Sequence, residues 1–497
     1  MLSPPSRRLA PFKLDFIIVG GGQLFFFFFC PASVYIYLVP LAIAGLSTAI
    51  GLALSGHKVR VLERCSRLGQ PACGIRVPPN VTKILVGWGL EEEIRKTASL
   101  VREGSHLWDF ETGKLIGFLQ WAEPVIQDSG AKFYMMRYDH LYQILYDAAR
   151  RAGAEVIFNA DVRLASPPVR GAHRPSVQLR DGTVLHADII IGADGQHSTI
   201  RNSVQRKRVE PRATETIVLS GNVSMQRLSE DDRVDVTELS SSWSYWFGPG
   251  RACSGGSISS IYLEYAVHVY WDREDPDAPE GWIPNLPTKS LKLSDQALDN
   301  RLAGMLEKID AVCWQRYLDW PNIENWSDES NRIVLVGESS RPLIPCSSQC
   351  GSLSVESAAV FSTLFSYVRG FDHIPLLVRA YETIRRDRAD FLHRVELTHV
   401  TQTMFPPGPE QEARDHEMRK LLHAGQAKWD DDAYLGLWGQ VCETWAYNAF
   451  DAADDWWVQW GILRERSLGI HDPSVESPFR PLEVGVSARI DVIHEFS

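Results

Sequence analysis

Gly20, Gly22, Gly45 and Glu63 are the residues of this chain whose types fit together chemically. A first glycine permits a tight turn after a strand. A second lets backbone amides approach a pyrophosphate. A third lets the next helix pack closely, with its N-terminus aimed at the phosphates. A carboxylate ending the following strand can hold a ribose hydroxyl. The spacing is interrupted, because DFIIVGGG at Asp15–Gly22 is separated from IAGLSTAIGLALSGHKVRVLER at Ile43–Arg64 by QLFFFFFCPASVYIYLVPLA, residues 23–42. Without those 20 residues the join reads GGGIAG, a continuous dinucleotide-binding fingerprint.

The elements that must position these residues are legible. A buried strand precedes the glycines, an apolar helix follows, Gly56 stops that helix, and a second strand ends at Glu63. The interrupting segment has three readings. No charged residue lies between Phe16 and Gly56, and residues 24–46 are long enough to span a bilayer as a membrane anchor. Such a span would consume the phosphate-binding turn and the first helix. An extruded apolar loop is the second reading. The third is a segment absent from the working protein, which the in-frame restoration of the motif favours.

A chain of 497 residues can bury a large core. Its 44% hydrophobic and 23% charged residues are ordinary for a globular protein. The net charge of −11 argues against a nucleic-acid partner. Eight cysteines without framework spacing read as reduced thiols in a cytoplasmic protein, with no metal site. A single-pass membrane location requires that residues 24–46 be a genuine anchor.

Further along, GQPACGIRVPPNVTKILVGWGL at Gly69–Leu90 is a glycine- and proline-rich loop followed by a short helix. Leu141, Ile144, Leu145 and Ala148 share one helical face, and Gly153 ends that helix. Ser176–Arg180 and Thr183–Ile191 form a hairpin around Asp181-Gly182, and the second strand runs into GADGQHSTIR at Gly192–Arg201. Residues 217–271 alternate like strands of a sheet that floors a pocket. Residues 332–336 form a buried strand ending in GESSRPLIP, and the chain turns helical after Ser354. Six of the 16 tryptophans lie between Trp429 and Trp460 and are expected to pack C-terminal helices onto the body.

The split fingerprint, GADGQHSTIR and GESSRPLIP…QCG, in that order, resemble the three flavin motifs of group A FAD-dependent aromatic monooxygenases. ACGIRVPPN, MMRYDHLYQIL and PPGPEQEARD are similar to the fungal salicylate-hydroxylase-like branch. The resemblance runs from Asp15 to about Trp460, apart from the insert. It implies an α/β fold of the para-hydroxybenzoate-hydroxylase type: a Rossmann-like FAD-binding domain, an interleaved β-sheet substrate domain and C-terminal helices. The expected segments are 15–80, 131–212 and 329–400 for FAD binding, 81–130 and 213–328 for the substrate domain, and 401–497 for the helical region.

The resemblance also implies roles. Gly20, Gly22 and Gly45 would cradle the FAD pyrophosphate and Glu63 the adenosine ribose. Gly74 would lie near the flavin end. Arg137 would reach the phosphate or ribityl region, the plainer reading being a surface salt bridge. Asp194 and Gly195 would touch FAD and the visiting NAD(P)H. Glu338 stands where the family has an aspartate on the ribityl chain, and Gly351 would place amides near the isoalloxazine. Arg341 stands for a histidine and Cys350 for a glycine of the family pattern. In LSGNVSMQRL, on the strand after the middle motif, Gln226 occupies the place of a substrate-facing arginine. Arg227 is the catalytic candidate if that strand is slipped or bulged.

The chemistry implied is hydroxylation or epoxidation of an aromatic or indolic small molecule in secondary metabolism. NAD(P)H would reduce the flavin and O2 would form a C4a-hydroperoxide. A non-catalytic or mis-spliced relative unable to hold FAD, and a membrane-anchored flavoprotein oxidoreductase, are the alternatives.

Overall fold

Near-continuous apolar runs such as FIIV, IIIG and IVL suit strands covered on both faces, and such strands assemble in parallel. The computed structural model describes residues 8–20, 43–68, 73–121, 123–168, 174–259, 263–273, 282–291, 297–423 and 431–467. In it these runs form a five-stranded parallel sheet in the order Ile333–Leu335, Ile189–Gly192, Asp15–Gly20, Lys58–Glu63, Glu155–Ile157. Phe16, Ile17, Ile18, Ile190 and Val334 are fully buried in it. The Ile43–Leu54 helix packs against this sheet and against the Cys350–Phe365 and Tyr138–Arg151 helices. The segment 23–42, with Gly22, lies outside the described residues.

The expected strand Thr183–Ile191 is two strands. Val184–His186 completes the hairpin with Ser176–Leu179, and Ile189–Gly192 joins the parallel sheet. The break falls at Asp188, whose carboxylate accepts the Asp15 amide at 2.8 Å and binds Arg174 at 2.9 Å. That bond ties the hairpin to the start of the sheet.

A second sheet has eight strands, with Arg212–Ser224, Glu264–Asp272, Arg251–Ser259 and Trp243–Gly248 at its centre. Side chains alternate between faces along each strand. Ile217, Leu219, Val267, Val269 and Trp246 bury one face against helices carrying Leu228, Leu302 and Met305. The other face carries Ser220, Asn222, His268, Ser254 and Tyr245 and meets the Gly74–Val77 strand. The expected pocket-flooring sheet is therefore half core and half site.

The C-terminal part is helical, with Ile374–Thr403, Pro409–His423, Asp431–Ala446 and Ala449–Trp456. Trp445, Trp456 and Trp457 are buried and Trp460 is exposed, whereas Trp429 lies outside the described residues. Among the described residues no helix is long and apolar enough to cross a membrane. Of the candidate span 24–46, residues 43–46 are the buried first turn of the Ile43–Leu54 helix, and the remainder lies outside the described residues.

Candidate functional site

Parallel register places Glu63 directly beside Gly20 at the carboxyl ends of their strands. Such ends, where the chain turns into helices, are where open α/β sheets bind ligands. One Glu63 carboxylate oxygen accepts the Cys65 amide at 2.8 Å. The other, Oε2, is buried without a hydrogen-bond partner. Burial pushes this carboxyl up to about 7, against the pull of the Cys65 amide. A buried acceptor lacking a donor beside Gly20 at the end of its strand fits a ribose hydroxyl.

Gly45 brings its helix within contact of the strand: a Cβ there would lie 3.6 Å from Gly20 Cα, Ile18 and Ala193. That is ordinary contact, so alanine fits. The glycine that close packing requires is Gly51, where a Cβ would collide with Ser362 of the Cys350–Phe365 helix.

In the middle motif Asp194 caps the Thr199–Gln205 helix, accepting the Thr199 amide at 2.6 Å, the Ile200 amide at 3.1 Å and the Ser198 hydroxyl. Burial nevertheless raises its carboxyl above the usual range. Gly195 takes φ +73°, in the left-handed region. From the same helix the buried Arg201 donates to the carbonyls of Gln196 at 2.7 Å, Glu338 at 2.9 Å and Ser339 at 2.8 Å, and lies over the Trp320 ring at 4.5 Å. It thereby fastens the third motif to the second.

Gly337 opens that third motif at φ +72°, where a Cβ would strike Ala44 at 2.8 Å and Ser354 at 2.9 Å. Its neighbour Glu338 has a carboxylate with no hydrogen bond or ion pair to the described residues. Burial pushes it up to about 7, with the Arg201 charge opposing. At the far side Gly351 begins the Cys350–Phe365 helix against Ile75. Burial pushes the Cys346 thiol up to about 12 and the Cys350 thiol higher, which keeps both protonated.

Gly74 and Arg137 are cross-strand partners. A Cβ at Gly74 would strike Ala266 at 2.5 Å and Ile258 at 2.9 Å, so the glycine is what lets this strand lie on the second sheet. Arg137 binds Asp139 at 2.9 Å and, from that sheet, Glu264 at 2.6 Å. Arg227 is placed elsewhere. The strand that was expected to carry it ends at Ser224, whose hydroxyl caps the short Met225–Ser229 helix. Arg227 sits on that helix, half-buried, paired with Asp310 at 2.7 Å.

The structure thus brings Gly20, Gly45 and Glu63 together at the end of the parallel sheet, ties the Asp194–Gly195 segment to the Glu338 turn through Arg201, and pairs Gly74 with Arg137 on neighbouring strands, with Arg227 apart. Arg201 and Gly51 were missed by sequence reasoning. Arg201 lies inside the quoted GADGQHSTIR motif, but nothing in the motif says that its side chain turns back onto a neighbouring turn.

The FAD binding domain family matches residues 42–288, opening at the last residue of the apolar run. An FAD-dependent monooxygenase of Beauveria bassiana is 23% identical over 82% of this chain and 93% of its own length. The chain belongs to the FAD-dependent aromatic monooxygenases. Among solved folds, CtdE in complex with FAD and substrate 4 superposes on this monooxygenase with a TM-score of 0.71 at 17% identity, covering 91% of this chain and all of that one. A salicylate hydroxylase substrate complex gives 0.67 at 16%, covering 89% and 97%. FAD is the monooxygenase's cofactor. The Glu63 oxygen that lacks a donor fits one of its hydroxyl groups.

Proposed function

We propose that this monooxygenase uses NAD(P)H and O2 to hydroxylate or epoxidise an aromatic or indolic small molecule in secondary metabolism. The observation that carries the reading is the buried Glu63 carboxylate, one oxygen of which lacks a donor, beside Gly20 at the carboxyl end of the parallel sheet. Bound FAD would supply the oxygen-transfer chemistry. The chain's own residues do the rest. Glu63 accepts from the ribose and Glu338 from the ribityl hydroxyls. Amides at Gly351 face the ring system, and Arg201 holds the Glu338 turn. The polar face of the eight-stranded sheet floors the substrate space.

A non-catalytic relative is the second reading, favoured by Cys350, which stands where the family pattern has a glycine. FAD content of the full chain and of a version lacking residues 23–42 separates the two. Flavin retained by either version, with consumption of NAD(P)H and O2, supports the monooxygenase. Flavin retained by neither supports the non-catalytic relative.

A further inference from the structure

One buried cation in the site has no matching charge. Arg76, on the Gly74–Val77 strand, is only 5% exposed, and among the described residues no carboxylate lies within ion-pair distance of it. One terminal nitrogen donates to the Ser254 hydroxyl at 2.6 Å and the other to the Cys346 carbonyl. The guanidinium lies over the Trp243 ring at 4.5 Å, and its Nε has no acceptor. Glu396, on the Ile374–Thr403 helix, is held by the Ser348 amide at 2.8 Å instead. A buried charge without a counter-charge is costly, and sites that keep one have an anion to receive.

The surroundings say where that anion would sit. Cys313, Ser220, His268, Ser254 and Tyr245 stand side by side across five strands, on the face of the sheet opposite its apolar core. Arg76 meets this row at Ser254. His268, beside it, has a buried Nδ1 without a partner, and burial and the Arg76 charge hold its ring neutral. A neutral imidazole can donate to an acidic ligand without competing for it. Trp243 supplies a flat wall beneath the guanidinium.

We propose that Arg76 is a specificity-determining residue that receives an acidic group of the aromatic substrate, a ring carboxylate or an ionised phenol, with His268 as its neutral neighbour. This rests on the monooxygenase reading for the ring's identity, but the anion site itself does not require the flavin. A guanidinium stacked on an aromatic ring and fixed at two other nitrogens is oriented for such a group in a way that a lysine is not.

The test is calorimetric titration of the purified full chain with salicylate and with indole-2-carboxylate, each against its neutral amide, with FAD content read in the same samples. The acids should bind about tenfold or more tightly than their amides. Arg76→Gln should abolish that preference, and Arg76→Lys, which keeps the charge and controls for folding, should retain part of it. Equal affinity for acid and amide, no binding of either acid, or a preference that survives Arg76→Gln overturns the proposal. Absence of FAD alongside a preserved acid preference would instead overturn the monooxygenase reading and leave the anion site standing.

Discussion

Arg201 donates to the Glu338 carbonyl at 2.9 Å while its charge acts on the Glu338 carboxylate. One side chain therefore fixes both where the third motif sits and how readily its acid ionises. Arg201→Met should leave three buried carbonyls short of a donor and cost about 3 kcal/mol of stability. Chemical denaturation reads the stability, and flavin retention after gel filtration should fall with it. A variant as stable and as yellow as the parent would show that the two turns hold without this clamp.

FAD affinity should depend on pH through Glu63. Its carboxyl is raised to about 7, so without ligand the folded chain binds this proton more tightly than the unfolded chain does. The resulting stability is fully present below about pH 4.5 and is lost as pH rises through about 7. A ribose hydroxyl donating to Oε2 favours the ionised form, so FAD binding releases a proton. The dissociation constant should therefore improve as pH rises towards about 7, by up to about tenfold per unit. Titration of apoprotein with FAD checks this, and Glu63→Gln should flatten the dependence.

Gly45 and Gly337, one from the first motif and one from the third, should differ in tolerance. Gly45→Ala places its methyl at 3.6 Å contacts and should change stability by less than about 1 kcal/mol. Gly337→Ala combines φ +72° with contacts under 3 Å on two sides and should cost about 2–4 kcal/mol. Thermal unfolding of both variants decides, and the reverse order would contradict the packing described.

Behind the Cys350–Phe365 helix, Glu356 is fully buried between Arg385 at 2.9 Å and Arg388 at 3.0 Å, and accepts Asn80 at 2.7 Å. The same Asn80 nitrogen reaches Gln349, two residues before Gly351. Glu356→Gln leaves two buried guanidinium groups without their carboxylate and should cost about 3–5 kcal/mol. Urea unfolding measures it. A neutral outcome would mean that the two arginines find other partners.

Much of this was legible in the chain itself. Glycine spacing and an acid ending a strand are local signals, so Gly20, Gly45 and Glu63 could be paired with one another before their register was known. The alternation in residues 217–271 announced a two-faced sheet. What failed was continuity: Asp188 ends one strand and starts another because of a bond to Asp15, 173 residues away. Ser224 stops a strand that looked able to run on to Arg227. Arg76 and Arg201 sat in quoted motifs without a role, because the importance of a buried arginine lies in which carbonyls and rings surround it.

The alternating faces of the eight-stranded sheet have a consequence for change over time. Residues at odd positions of the Arg212–Ser224 strand, such as Ile217 and Leu219, hold the sheet to its helices, while even positions, such as Ser220 and Asn222, face the substrate space. Selectivity can therefore drift through the codons of Ser220 and Asn222 without loosening the fold, whereas Val218, on the same face, is buried against Ala252 and Tyr270. A library restricted to those codons should redirect the enzyme at little cost to its expression.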